Sequence, residues 1–272
     1  MKGMARPAPP AALLFLGAAC CVFMLACAAK APPRPVGAPM ADDTAPLIFR
    51  EATAACAALR TLTAEVALSG RAGGERMRAR LHLGLAAPGS LRIEAVAPFG
   101  APVFILAAEG DRATLLFPRD NRVLAGASVP EVLARLTGLD LTADELRLTL
   151  AGCLLTDAEN LEGRAWGGEW KAVSVGTDRT VYLRERDGAW QVAAAEYGPW
   201  RIDYSDHLDT RPRTVRVRAM EGAAPLDLTA RLEQLRLNVD LPGGAFAVDT
   251  PRDAEQLTLE DLRSVGPLRG TK

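Results

Sequence analysis

Residue types that carry out acid–base, nucleophilic or metal chemistry are scarce in this chain. Its 272 residues include two histidines, His82 and His207, which disfavours both a histidine-rich metal site and a Ser-His relay. The segment Gly126-Ala127-Ser128-Val129-Pro130 ends in proline where a Gly-x-Ser-x-Gly nucleophile elbow ends in glycine. The sequence contains no phosphate-binding loop and no paired-cysteine metal motif. We therefore predict no catalytic residue, no cofactor and no metal site, and hence a protein that is not an enzyme.

Neighbouring acids are the other candidates for chemistry. The pairs are Asp42-Asp43, Asp144-Glu145 and Glu260-Asp261. They fall in a proline-rich stretch or at expected helix starts, where carboxylates improve solubility and cap helices. The net charge is −1, so no overall field attracts nucleic acid, and we predict no nucleic-acid partner.

Cys27 has the clearest chemical context of the five cysteines. It ends Met24-Leu25-Ala26-Cys27, which resembles the lipobox of bacterial lipoproteins, where small residues precede the cysteine that receives lipid. Residues 11–26 form an uncharged run of 16 residues, too short for a comfortable membrane-spanning helix and typical of a signal peptide. We predict that residues 1–26 are a lipoprotein signal peptide and that lipid on Cys27 holds the protein at a membrane surface. An ordinary signal peptide or an uncleaved anchor is the alternative.

Removal of the predicted signal peptide before Cys27 would separate the other four cysteines into two pairs. Cys20 and Cys21 would leave with the signal peptide, so Cys56 and Cys153 remain in an oxidising compartment that permits a disulfide. Both lie in apolar stretches, so the sequence leaves two alternatives, a disulfide between them or two buried free thiols.

A proline-rich stretch and a helical pattern follow Cys27. Residues 27–46 carry five prolines and few large apolar residues, which predicts an extended tether. Leu47 to Leu62 has helical spacing of Leu and Ala. We predict a tether over 27–46 and one domain over 47–272 that begins with this helix and ends in a C-terminal tail.

Most of the domain has the period of β-strands. Apolar residues from Met77 to Leu85 alternate with Arg76, Arg78, Arg80 and His82, so one face of that strand is apolar and the other charged. The basic stripe is either a solvated face or a contact for anionic headgroups. About eleven such segments, separated by turn residues such as Asp187-Gly188, continue to Val239, where a phase change predicts a bulge near Glu233-Gln234.

Two short helices interrupt the strands. Ser128 followed by Glu131, and Thr142 followed by Glu145, have the spacing of capping boxes, and Gly138 and Gly152 are suited to end the helices.

These elements predict a mainly β fold, a single incomplete antiparallel β-barrel of about eleven strands with an N-terminal helix and a helical plug. Such a barrel can hold one ligand. The candidate lining residues of an apolar cavity are Met77, Leu81, Leu83, Phe104, Leu106 and Leu116. Solid packing of these residues against the helices is the alternative.

Two stretches resemble the LolB family of outer-membrane lipoproteins. One is Leu136-Thr137-Gly138-Leu139-Asp140-Leu141, followed by Leu146 and by Leu150-Ala151-Gly152. The family has Leu-Thr-Gly-Trp, an Ile-Pro-Leu step and a Leu- and Trp-bearing helix ending in Gly; here Leu139 and Thr149 replace tryptophans and Thr142 replaces the proline. The other stretch, Ala97-Pro98-Phe99-Gly100, resembles the family's Pro-Leu-Gly turn, in which an exposed apolar residue enters the membrane. Phe99 takes that place.

The resemblance implies the LolA/LolB fold, an incomplete β-barrel closed by helices, and a function in receiving lipoproteins and inserting them into the outer membrane. The implied partners are acyl chains or lipoproteins, the membrane surface, and a soluble LolA-like carrier. In enteric-type sorting, Asp after the lipidated cysteine retains a lipoprotein in the inner membrane; because Ala28 follows Cys27 here, the resemblance implies the periplasmic face of the outer membrane. A lipoprotein that carries another amphiphile, and a non-catalytic structural or assembly lipoprotein, are the alternatives.

Overall fold

The computed structural model describes residues 35–97, 99–262, 266 and 268. The strands of this part are β1 (Met40–Ala41), β2 (Thr61–Ala72), β3 (Glu75–Ala86), β4 (Ser90–Ala95), β5 (Ile105–Glu109), β6 (Arg112–Phe117), β7 (Arg122–Ser128), β8 (Glu162–Trp166), β9 (Trp170–Val175), β10 (Arg179–Arg186), β11 (Ala189–Tyr197), β12 (Trp200–Ser205), β13 (Thr214–Ala219), β14 (Leu226–Leu237) and β15 (Glu255–Gln256). The α-helices are α1 (Ala45–Ala52), α2 (Val129–Thr137) and α3 (Ala143–Ala151), and a 3₁₀ turn over Ala54–Cys56 follows α1. The predicted signal peptide, Cys27 and the first part of the predicted tether lie outside the described residues.

The fifteen strands form one sheet in the order β1-β8-β9-β10-β11-β12-β13-β14-β2-β3-β4-β5-β6-β7-β15. Every pairing is antiparallel except that of β15 with β7, and β1 and β15 form the two edges. The sheet is therefore open. The predicted fold class, a mainly β chain with an incomplete antiparallel sheet and helices, is confirmed. The strand number in the described part exceeds the predicted eleven.

One face of the sheet carries the core, and we call it the inner face. A single cluster of buried side chains joins β2 to β7 and β9 to β14 with all three α-helices. Helix α3 packs on β2, β3 and β4, and α1 packs on β8, β9 and β11. The helices thus close the inner face of an open sheet, whereas the opposite, outer face carries most of the charged strand residues.

Local sequence signals account for the two central helices. Ser128 and Thr142 each accept from the backbone N–H of the glutamate three residues on, and each glutamate accepts from the cap N–H in return. Gly138 and Gly152 end the helices in the left-handed conformation, with φ of 82° and 70°. Both predicted capping boxes and both predicted C-terminal glycines are confirmed.

The N-terminal helix is shorter than predicted. Helix α1 ends at Ala52, and β2 begins at Thr61, within the range that helical spacing assigned to one helix. The prediction to Leu62 was wrong because Leu62 begins an alternating run that belongs to a strand and pairs with Leu85 of β3. The folded part also starts earlier than residue 47, since Met40 and Ala41 pair with β8.

The chain after β13 behaves as the phase change predicted. The pairing of β14 with β2 shifts register between Glu233 and Arg236, and Gln234 has a φ of 49°.

The segment that follows β14 crosses the outer face, where Arg92 of β4 donates to the carbonyl of Ala247 at 2.7 Å. Within the described part of the chain, no helix has the length and apolar composition that a bilayer crossing requires.

Candidate functional site

Five of the six predicted lining residues lie in the core cluster of the inner face. Met77, Leu81 and Leu83 project from β3, and Phe104 and Leu106 come from the segment that enters and forms β5. They are 0–8% exposed, and the Phe104 ring lies 6.4 Å from the ring of Phe117. All five side chains belong to the single buried cluster to which the three helices also contribute.

Leu116 lies on the other face. Its neighbours Leu115 and Phe117 belong to the core cluster, and Leu116 does not. Because adjacent residues of a strand point to opposite faces, Leu116 faces outward, although it is only 5% exposed. The prediction that Leu116 lines the cavity is therefore wrong. Leu115, Leu116 and Phe117 are all apolar, so the sequence does not show which of them faces inward.

A cavity of about 370 Å³ opens at one end of the inner face. Of the six predicted lining residues, Met77 alone lines this cavity. The rest of the lining mixes apolar side chains with charged ones: Leu136, Leu262, Leu268, Glu75 and Arg135. Gly138 also lines it, and a Cβ at this glycine would lie 3.1 Å from Leu226 Cδ1. The glycine of the Leu-Thr-Gly motif therefore combines a left-handed backbone with a close approach to β14.

Polar contacts hold α3 over the inner face. The buried Arg147 side chain donates to the Leu59 carbonyl at 2.7 Å and to Asp144, whose other oxygen accepts from the Gly89 N–H at 3.0 Å. At the same helix start, Glu145 accepts from the Tyr197 hydroxyl at 3.0 Å. These contacts join α3 to the chain before β2, to the β3–β4 turn and to β11.

The pKa of Glu145 reflects this position. Burial alone would raise its pKa, but hydrogen bonds from the Thr142 amide and hydroxyl and from Tyr197 outweigh burial and lower the pKa below its usual value. The carboxylate therefore stays ionised as a cap. Sequence reasoning found the cap but missed Arg147 and Tyr197, because their partners are distant in sequence.

A disulfide joins Cys56 to Cys153. It connects the 3₁₀ turn after α1 to the residue that follows Gly152 at the end of α3. Arg211 Nη1 donates to the two sulfur atoms at 3.3 and 3.2 Å, and burial lowers the pKa of this guanidinium. The disulfide therefore fixes the C-terminal end of α3, opposite to the end held by Asp144 and Glu145.

The inner face contains one unusual hydroxyl. Tyr204 of β12 is 2% exposed, and its oxygen has no hydrogen-bond partner among the described residues. Burial raises the pKa of this phenol far above its usual range. Three residues further along the chain, His207 Nε2 lies 3.0 Å from the Val192 carbonyl, and burial lowers the pKa of the imidazole. Both groups are therefore neutral at physiological pH.

The loop between β4 and β5 carries an exposed aromatic ring. Phe99 is 88% exposed, and residues 95–106 contain no charged side chain. Arg119 holds the loop backbone from the β6–β7 turn, since its Nη2 donates to the Phe99 carbonyl at 2.6 Å and its Nε to the Ala101 carbonyl at 3.0 Å. The loop is thus fixed through its backbone while the ring stays in solvent.

The start of the folded part is fixed at the β8 edge of the sheet. Lys171 Nζ donates to Asp42, whose carboxylate also accepts from the Thr44 N–H and hydroxyl. These hydrogen bonds, the one from Lys171 first, lower the pKa of Asp42 from 3.8 to about 2. Trp166 Nε1 donates to the Gly37 carbonyl at 3.0 Å.

The part of the chain that the structure describes brings no three His, Cys, Asp or Glu side chains together in a group that could hold a metal ion. His82 is exposed on the outer face of β3, away from the cavity.

No family model and no curated protein matches the sequence. The chain is similar to a LolA superfamily protein from Nitrosomonas europaea, with 12% identity and a TM-score of 0.47 over 73% of this chain and 97% of that one. It is also similar to a DUF1329 family protein from Desulfovibrio piger, with 13% identity and a TM-score of 0.46 over 75% and 98%. Lipoprotein LppX of Mycobacterium tuberculosis has 11% identity and a TM-score of 0.33 over 74% and 98%.

Proposed function

We propose that the protein is a lipid-anchored lipoprotein of the outer membrane, facing the periplasm, that receives acyl chains of other lipoproteins and inserts them into the membrane, as in the LolB family. The single observation that carries this proposal is the 88% exposed ring of Phe99 on an uncharged loop whose backbone Arg119 holds in place. Exposed apolar groups of this kind mark contact sites, because water gives them no stabilisation.

The position of the loop relative to the cavity supports the same function. In an antiparallel sheet, the β2–β3 hairpin, the β4–β5 loop and the β6–β7 turn lie at the same end. The cavity of about 370 Å³ is lined by Ala72, Glu75 and Met77 around that hairpin. An acyl chain could therefore pass between membrane and cavity at one end of the molecule.

The physical demand on such a protein is burial of hydrocarbon, not catalysis. Each CH₂ exposed to water costs about 0.8 kcal/mol, so a single acyl chain costs on the order of 10 kcal/mol. A cavity of about 370 Å³ lies in the size range of ligand pockets, roughly 300–1,000 Å³. Lipid on Cys27 would keep this cavity close to the receiving membrane, and a soluble LolA-like carrier would deliver the cargo.

The test measures transfer of a fluorescent fatty acid from the protein to phosphatidylcholine vesicles. It uses a chain beginning at Arg34, since the unit Arg34–Lys272 contains all described elements and their core. Phe99→Ser should slow transfer on the order of tenfold, because an aromatic side chain no longer enters the hydrocarbon. The melting temperature should stay near that of the wild type, because the ring makes few contacts in the protein.

Leu208→Ser is the matched control. Leu208 is 55% exposed in the β12–β13 connection, which lies at the other end of the sheet from the β4–β5 loop, so its loss should leave transfer unchanged. A clearly lower melting temperature for Phe99→Ser would show that the ring is buried in solution and would contradict the membrane contact. A wild-type chain that shows no saturable probe binding would favour the structural or assembly alternative.

A further inference from the structure

Arginines cover the outer face of three central strands near the β2–β3 hairpin. The set comprises Arg71 of β2, Arg76, Arg78 and Arg80 of β3, and Arg231 of β14. Register places Arg76 opposite Arg71, Arg78 opposite Ser69, and Ala67 between Arg80 and Arg231. All five residues are exposed, and we call this set the arginine face.

The protein supplies few counter-charges to the arginine face. Within the described residues, Arg76, Arg78 and Arg231 have no ion-pair partner, and Arg80 reaches only Glu233 at 3.9 Å with its side chain 72% exposed. Asp227, the acid beside Arg71, is held by two hydrogen bonds from Arg216 at 2.7 and 2.6 Å. Like charges directly opposite on neighbouring strands, as at Arg71 and Arg76, destabilise a sheet. An external anion would relieve this repulsion.

Charge is segregated along these strands. The next row away from the hairpin contains Glu233, Glu65, His82 and Glu94, which lie opposite one another on four strands. On the outer face of these strands five arginines and one acid, Asp227, thus occupy the rows nearest the β2–β3 hairpin, and three glutamates occupy the next row. A solvated face alone does not require this separation.

The arginine face adjoins the Phe99 loop. The Val96 N–H, at the start of that loop, donates to the Arg80 carbonyl at 2.8 Å. The hairpin after β2 and the loop after β4 lie at the same end of the antiparallel sheet. An apolar loop and a basic face are thus neighbours, an arrangement that matches the hydrocarbon and the phosphates of a lipid surface.

We propose that the arginine face binds the phosphate groups of anionic phospholipids while Phe99 enters the same membrane. The proposal rests on the membrane contact of the proposed function and names the lipid class that it prefers. Guanidinium groups bind phosphate oxygens through two parallel hydrogen bonds, which suits headgroups better than a diffuse positive charge does. Each arginine close to an anionic surface raises affinity about fivefold.

The experiment measures binding of the chain beginning at Arg34 to phosphatidylcholine vesicles with and without phosphatidylglycerol. The double variant Arg76→Gln/Arg78→Gln should bind the anionic vesicles about 25-fold more weakly and the neutral vesicles as the wild type does. Arg112→Gln/Arg186→Gln removes the same charge from exposed residues at other hairpins and should bind both vesicles nearly as the wild type does. Arg76→Lys/Arg78→Lys keeps the charge but loses the paired hydrogen bonds, so it should bind the anionic vesicles less tightly than the wild type and more tightly than the double Gln variant.

A Phe99→Ser arm separates this proposal from the proposed function. If the arginine variant binds anionic vesicles as tightly as the wild type while Phe99→Ser weakens binding to both vesicles, the arginine proposal is wrong and the proposed function stands. If only the arginine variant loses binding, the Phe99 contact is wrong and the arginine face stands. If the wild type binds vesicles with and without phosphatidylglycerol equally well, the arginine proposal is wrong. An acidic protein would then be the partner to test for the arginine face.

Discussion

At the scale of single residues, Tyr204 and Tyr197 give opposite predictions for the same substitution. The buried Tyr204 hydroxyl has no partner among the described residues, whereas the Tyr197 hydroxyl donates to Glu145 at 3.0 Å. An unpaired buried hydroxyl costs about 1 kcal/mol or more. Tyr204→Phe should therefore raise the free energy of unfolding by about 1 kcal/mol, and Tyr197→Phe should lower it by a similar amount. Urea denaturation measures both. A destabilised Tyr204→Phe would show that the hydroxyl has a partner in solution.

Alternation predicted the residues of the inner face wherever the sequence alternates. Met77, Leu81 and Leu83 were assigned to the inner face because arginines and a histidine alternate with the apolar residues of β3, and the structure buries all three there. Leu116 was misplaced because it lies in an unbroken apolar run. The partners of Arg147 and Tyr197 could not be predicted, since each contact joins segments far apart in sequence and depends on how the sheet curls.

At the scale of elements, sequence reasoning succeeded where the signal is local. Capping boxes and left-handed glycines fix α2 and α3 through contacts three or four residues apart. It failed at α1 because alanine-rich sequence fits helical spacing even where the chain turns into a strand. The short strand β8 was also missed, since Glu162–Trp166 contains charged and small residues and no apolar alternation. Its place is set by pairing with β9.

The disulfide between the α1 and α3 regions predicts a large effect on stability. Cys56 and Cys153 are 97 residues apart, and closing a loop of that length stabilises a fold by about 4–5 kcal/mol through the entropy of the unfolded chain. The double variant Cys56→Ser/Cys153→Ser should therefore unfold at a markedly lower urea concentration than the wild type. Wild-type protein treated with a reductant in denaturant should approach the same midpoint. Equal midpoints for variant and oxidised wild type would mean that the two thiols are free in solution.

At the scale of the whole molecule, the position at which the folded part begins decides whether a lipid anchor and the Phe99 loop can reach the same membrane. Gly37 and Asp42 fix that point at the β8 edge, while Phe99 lies on the loop after β4, on the other side of the central strands in sheet order. The proposed tether must therefore be long enough to let the lipid on Cys27 and the Phe99 loop contact the same membrane, although the folded part begins at the β8 edge. A proline-rich chain covers about 3.1 Å per residue when extended, so a tether of the proposed kind would allow a reach of about 30 Å over the ten residues from Cys27 to Gly37.

Deleting residues 28–36 from the full-length protein should therefore impair delivery without affecting the fold. The anchor would then lie directly against the β8 edge, and a linker that cannot span two sites removes the gain from simultaneous binding. We expect an unchanged melting temperature, acylated Cys27 by mass spectrometry, and strongly reduced fatty-acid transfer to the membrane that holds the protein. A Gly-Ser segment of equal length in place of residues 28–36 should restore transfer, since reach and not sequence is required. Full transfer by the deletion variant would show that Phe99 reaches the membrane without a tether, and the proposed geometry of anchor and loop would be wrong.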